Sequence, residues 1–190
     1  MKTAVDGAPL PNARGREQLI ARLPKNGIGA EIGVWKGMFS RRLLQGTAPA
    51  ELHLIDPWAF SADFPRRRYG GAEASDQDGM DAICRDVAAS FAKNLRVRIH
   101  RLRSADAAPL FPDEHFDWIY IDGDHSYEAV IQDLRLWHPK IKKGGLLAGD
   151  DYTWRDEAGQ LSVARAVREF VATAGVAAQE VVSAQFMIQV

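Results

Sequence analysis

The sequence predicts a single-domain α/β protein built on a doubly wound, mostly parallel seven-stranded sheet with an antiparallel C-terminal hairpin. Three observations carry that expectation. Strand and helix patterns alternate from residue 28 onward, which is how a parallel sheet with crossover helices reads in sequence. Two of the strands, Trp118-Ile119-Tyr120-Ile121 and Leu146-Leu147-Ala148, are apolar without alternation, as strands covered by helices on both faces should be. The tail holds two more apolar runs, Glu180–Val182 and Phe186–Ile188, with only Ser183 to Gln185 between them. So short a connection can join antiparallel strands only, because a parallel return needs a long crossover.

Taken in order, residues 1 to about 13 form a lead rich in Pro, Gly and Ala, followed by a short helix over Arg16–Leu23 that Pro24 and Asn26-Gly27 end. Strands are expected at Gly29–Val34, Glu51–Asp56, Leu95–Arg101, Phe116–Ile121 and Gly145–Gly149. Helices are expected at Met38–Leu44, Gln77–Lys93, Tyr127–Trp137 and Gln160–Thr173. Residues 1–27 thus precede a ligand-binding domain spanning 28–190. The connection from Trp58 to Asp78 is too long for an ordinary loop. It leaves the carboxyl edge of the sheet, where open α/β folds bind ligands, so it reads as a lid or substrate wall. The competing reading is an inserted segment without a role.

Composition narrows the partners. A net charge of -1, with 46% hydrophobic and 26% charged residues, gives no chain-wide basic field for nucleic acid or an anionic membrane. Local basic runs at Arg66-Arg67-Arg68 and from Arg96 to Arg103 read as solvated surface. Cys84 is the sole cysteine, on the apolar face of a helix, so no internal disulfide forms and a reducing, cytoplasmic location is expected. No apolar run has the length of a signal peptide core or a membrane span.

The chemistry sits at strand ends. The run Glu31-Ile32-Gly33-Val34-Trp35-Lys36-Gly37 places an acid before a glycine turn and lacks the third glycine of a dinucleotide fingerprint. A pyrophosphate wants a helix N-terminus free of negative charge; a carboxylate there suits a ligand with an ammonium group. Asp56 closes the next strand and can accept from ribose hydroxyls. Asp122-Gly123-Asp124-His125 follows the fourth strand and Asp150-Asp151 the fifth. Asp122, Asp150 and Asp151 would converge there, and three crowded carboxylates call for a cation, with Mg²⁺ the first choice and Mn²⁺ or Ca²⁺ alternatives. His125 is placed to take a proton near neutral pH, or else to act beside the Ser126 helix cap. His53 reads as core, and His100, His115 and His138 as surface.

These segments, with Lys143-Gly144-Gly145 and Gly149-Asp150-Asp151-Tyr152, resemble class I S-adenosylmethionine-dependent methyltransferases, and within them the macrocin and catechol or caffeoyl-coenzyme A O-methyltransferases. The likeness runs from about residue 28 to the C-terminus. It implies that Glu31, Gly33, Lys36, Gly37 and Ser40 surround S-adenosyl-L-methionine, that Asp56 takes the ribose, and that Ser104 and Ala105 meet the adenine. Asp124 would face the donor, and Asp122, Asp150 and Asp151 would hold the metal. His125 stands where catechol-type relatives carry a lysine base, so His125 and Asp122 are the expected catalytic pair. Relatives use N-terminal helices to build the acceptor site and a homodimer. This chain has only about 25 residues before its first strand, so Trp58, Tyr69, Tyr152 and Trp154 are expected to receive a small-molecule acceptor, by their flat rings. Competing readings are a nucleotide-sugar transferase using Asp122-Gly123-Asp124, a nicotinamide dehydrogenase, and a non-catalytic S-adenosylmethionine-binding module.

Overall fold

The computed structural model describes residues 13–61, 69, 73–176 and 178–190. In chain order the elements are α1 (Ala13–Arg22), β1 (Ile28–Ile32), α2 (Met38–Thr47), β2 (Glu51–Ile55), α3 (Gln77–Phe91), β3 (Val97–His100) and α4 (Ser104–Ala107). They continue with β4 (Phe116–Ile121), α5 (Tyr127–Trp137), β5 (Ile141–Gly149), α6 (Ser162–Ala174), β6 (Ala178–Val182) and β7 (Gln185–Gln189). The seven strands form one sheet in the order β3-β2-β1-β4-β5-β7-β6. β1 to β5 run parallel and β7 returns antiparallel between β5 and β6, as the sequence predicts.

The strand order reverses at β1, which has β2 on one side and β4 on the other. Crossovers leave in opposite directions from such a point and open a crevice at the carboxyl edge. Both faces of the central strands are buried: Trp118, Ile119 and Tyr120 on β4 and Leu147 and Ala148 on β5 are fully covered. Their unbroken apolar runs therefore follow from two-sided packing.

The ends of the helices are set locally. The Asp76 side chain accepts from Gly79 N at 2.8 Å to start α3, and Ser126 caps α5. Gly175, in the left-handed conformation, follows α6. The turn after β1 needs glycine at position 33: φ is +91°, and a Cβ there would lie 2.1 Å from the Asp122 carbonyl oxygen. β1 and the loop leaving β4 can meet only because that side chain is missing.

α1 lies against α2 through buried Leu19, Ile20 and Leu23, and Arg22 forms an ion pair with Glu180 on β6. The short helix is thereby fixed to the body of the sheet. Most element ends shift by one to three residues from expectation, and two features differ more. α4 and the single turn after it, Ala108–Leu110, fold a segment the sequence left without structure. β5 begins at Ile141 and runs through Gly144-Gly145, with a register shift against β4 between Phe116 and Trp118. His53 is buried, as expected, and half-buried His100 lies against it, their Nδ1 and Nε2 atoms 3.0 Å apart. Burial first, and then His100, push the His53 pKa down to about 4, so the pair packs in neutral form.

Candidate active site

The crevice collects the predicted donor residues. Glu31, at the end of β1, is 1% exposed and accepts from the Ser40 hydroxyl on α2. Burial above all drives its pKa well above the usual carboxylate range. Gly37 donates its N–H to Val34 O at 2.9 Å and closes the turn around Trp35 and Lys36. Lys36 reaches Glu73 at 2.6 Å.

Asp56 is more heavily engaged than a ribose acceptor needs to be. Its Oδ2 accepts from Val34 N and Trp35 N, each at 2.9 Å, and its Oδ1 from Trp58 N at 2.7 Å and the Tyr69 hydroxyl at 2.8 Å. Trp35 and Trp58 both hold positive φ, 54° and 41°, a conformation that costs a bulky residue energy. The carboxylate pins both strained residues. After β3, Ser104 bonds Asp133 and accepts from Trp137 Nε1 at 2.7 Å, while Ala105 is exposed. Asp124 is exposed and accepts from Ser126 N at 2.7 Å.

The acidic cluster is arranged differently from the expected trio of aspartates. Asp122, His125 and Asp151 each place one ligand atom within 4.8 Å of the others. Asp150 belongs to another network. It is 4% exposed; its Oδ1 accepts from Asp151 N at 2.7 Å and from the Gln185 amide. Its Oδ2 accepts from Arg16 Nε at 2.7 Å, and the same guanidinium donates from Nη2 to Asp122 Oδ2 at 2.6 Å. Histidine thus takes the corner given in sequence to Asp150, because an arginine and a glutamine already occupy both oxygens of that residue.

His125 Nε2 lies 3.2 Å from Asp151 Oδ2 and 3.8 Å from Asp122 Oδ1, yet neither carboxylate is aligned to take a hydrogen bond from this buried atom. Burial opposes charge on the ring, but Asp122, Asp151 and Asp124 outweigh it and raise its pKa above the ordinary value. Burial, followed by the aspartates nearby, raises Asp151 to about 6 despite the opposing pull of His125.

A cavity of about 340 Å³ opens beside His125, lined also by Tyr127, Glu128, Trp154, Glu157 and Arg165. The Trp154 ring is 5.0 Å from that of His125, so this expected acceptor residue packs beside the expected base. The other three expected there do not line the cavity. Trp58 is wholly buried and donates through Nε1 to Trp35 O at 2.8 Å. Tyr152 is 8% exposed and accepts from Arg168 Nε at 3.1 Å. Tyr69 lies against Asp56 and Trp35, with ring centroids 4.9 Å apart in the latter pair. Arg66, Arg67 and Arg68 fall outside the described residues.

Sequence reasoning missed Arg16 and Gln185. Arg16 had a signal: with Leu19, Ile20 and Leu23 it shares the i, i+3, i+4, i+7 spacing of one helix face, so a charge was aimed at the core. Gln185 had none beyond its place in a hairpin turn. Among the described residues, no helix is long and apolar enough to cross a membrane.

A family model described as a methyltransferase domain matches residues 30–152. Among solved structures, the O-methyltransferase NovP superposes with a TM-score of 0.63 at 20% identity, over 92% of this chain and 79% of that one. Cofactor-bound Rv0187 from MTB gives 0.61 at 16% identity, over 97% and 83%. Spermidine synthase from Thermotoga maritima gives 0.56 at 14% identity, over 91% and 55%. Identities this low establish a shared fold and nothing finer. A stretch of 36 residues is 47% identical to protein R132 of Acanthamoeba polyphaga mimivirus, spanning 19% of this chain and 16% of that protein.

Proposed function

The chain belongs to the methyltransferase-domain family, and from that premise we propose that it transfers the methyl group of S-adenosyl-L-methionine to a hydroxyl of a small molecule, a phenol, catechol or sugar. The observation that carries this reading is the placement of buried Glu31 at the switch point of the sheet, with Asp56 at the end of the neighbouring strand on one side and Asp122 with His125 on the other. Glu31 with Ser40, Gly33, Lys36 and Gly37 would receive the amino acid end of the donor, and Asp56 its ribose, whose hydroxyls would replace that of Tyr69 on Oδ1. Ser104, Ala105 and Asp124 would border the adenine.

The acceptor would enter the cavity beside Trp154. Its hydroxyl proton would pass to the His125 ring, and the imidazolium formed lies between Asp122 and Asp151. The oxygen then attacks the sulfonium methyl in line; the O–CH₃ bond forms as the S–CH₃ bond breaks and a neutral thioether leaves. Holding the three atoms collinear supplies most of the acceleration. A divalent cation, Mg²⁺, Mn²⁺ or Ca²⁺, would find Asp122, His125 and Asp151 within reach and would lower the pKa of the acceptor hydroxyl, but Asp122 is already paired with Arg16, so the ion would be held weakly. A histidine bound to an ion no longer serves as base, so ion and base are alternative uses of His125.

Labelled donor with a panel of catechols and sugar diols, with and without chelator, tests this reading. Product in chelator assigns the proton to His125, and product only with added ion assigns the activation to the ion. A panel turned over in neither condition, by protein that binds the donor, would favour the non-catalytic binding module.

A further inference from the structure

α1 carries a charged side chain into the interior, and the way it is held says what it does. Arg16 is 12% exposed at its side chain, with its guanidinium 4.6 Å above the Phe39 ring. It spans the ends of β4 and β5, bonding Asp122 Oδ2 and Asp150 Oδ2. Behind Asp150 stands Gln185, 0% exposed, whose Oε1 accepts from the Tyr120 hydroxyl at 2.8 Å. The chain of contacts from Tyr120 through Gln185 and Asp150 to Arg16 and Asp122 leaves both oxygens of Asp150 engaged. Two carboxylates that share one guanidinium nitrogen would repel each other without the positive charge between them. A divalent ion needs several oxygens with free lone pairs, and at this position it would have to expel the guanidinium first.

We infer that Arg16 is the resident cation of this edge: it stands between Asp122 and Asp150 in the place of a divalent ion, fixes the Asp122 carboxylate beside His125, and makes α1 a positioning element of the active site. The inference rests on the reading of this edge as a methyl-transfer site. Its consequence is measurable without turnover. The wild-type chain should bind divalent ions weakly, and loss of the arginine charge should expose a site for them.

The experiment titrates the full chain with MnCl₂ in the absence of donor, for the wild type, Arg16→Met, Arg16→Lys and Arg16→Met with Asp150→Asn. S-adenosylhomocysteine binding is measured on the same preparations. The wild type and Arg16→Lys should show no saturable Mn²⁺ binding below about 1 mM, the weak end of oxygen-ligand sites. Arg16→Met should bind at least tenfold more tightly, and adding Asp150→Asn should remove the gain. Saturable binding by the wild type well below that concentration overturns the inference, even where Arg16→Met does not fold. So does an Arg16→Met chain that folds and binds Mn²⁺ no better than the wild type. Absence of S-adenosylhomocysteine binding in the wild type would instead strike the methyl-donor reading, whatever Mn²⁺ does.

Discussion

Replacing Asp56 by alanine should destabilise the fold by about 3–6 kcal/mol and abolish donor binding, a large share of a domain stability of roughly 5–15 kcal/mol. The carboxylate satisfies three backbone N–H groups, of Val34, Trp35 and Trp58. Each one left buried without a partner costs about 1–3 kcal/mol. Two of those groups belong to residues in left-handed conformations, which would relax once released. Asp56→Asn separates the two roles. Its amide oxygen can still serve Val34 and Trp35, while its NH₂ faces the Trp58 N–H, so a loss of only about 1–2 kcal/mol is expected. Urea unfolding of both variants measures the difference. An alanine variant within about 1 kcal/mol of the wild type would mean that the turn holds itself without the carboxylate.

Replacing His125 by alanine should lower kcat by about 10²–10⁴-fold, the usual contribution of a positioned base, with donor affinity unchanged. The ring's closest recorded partners are Asp122, Asp151 and Trp154, none of which is assigned to the donor. The sign of the pH dependence follows from the same contacts. The base works unprotonated, and the aspartates raise its pKa above the 6.5 of a free ring. The acid limb of the wild-type rate should therefore lie above that value and disappear in the variant. Retention of a tenth or more of wild-type kcat by His125→Ala would remove the histidine from the reaction.

Much of the fold was legible because packing on both faces leaves a direct trace. β4 spans Phe116–Ile121 and α5 spans Tyr127–Trp137, both as read from the chain, where an unbroken apolar run meets a Ser126 cap. β5 was legible only in its second half. The expected strand began at Gly145, yet the observed one starts at Ile141 and passes through Gly144. A Cβ on Gly145 would lie 2.7 Å from the Asp117 carbonyl oxygen, so glycine at this point records close backbone approach.

The same division holds in the active site. Residues at strand ends, from Glu31 to Asp151, could be placed because topology alone gathers them at one edge. Side-chain partners at long range could not. Arg16 is 106 residues from Asp122 and 134 from Asp150, and no local pattern pairs them. Trp58 was expected as an acceptor wall from its position after β2, but its ring is core, since a large apolar surface next to a buried strand is covered when the fold permits.

The measurement that bears most directly on the central claim is calorimetric titration of the wild-type chain with S-adenosylhomocysteine, with and without Mg²⁺. Stoichiometric binding of one ligand per chain, equal in the two conditions, is the expected result, because the contacts proposed for Glu31 and Asp56 need no ion. No binding in either condition would contradict the assignment of this edge to a methyl donor, and titration with nucleotide sugars and Mn²⁺ would then test the Asp122-Gly123-Asp124 reading.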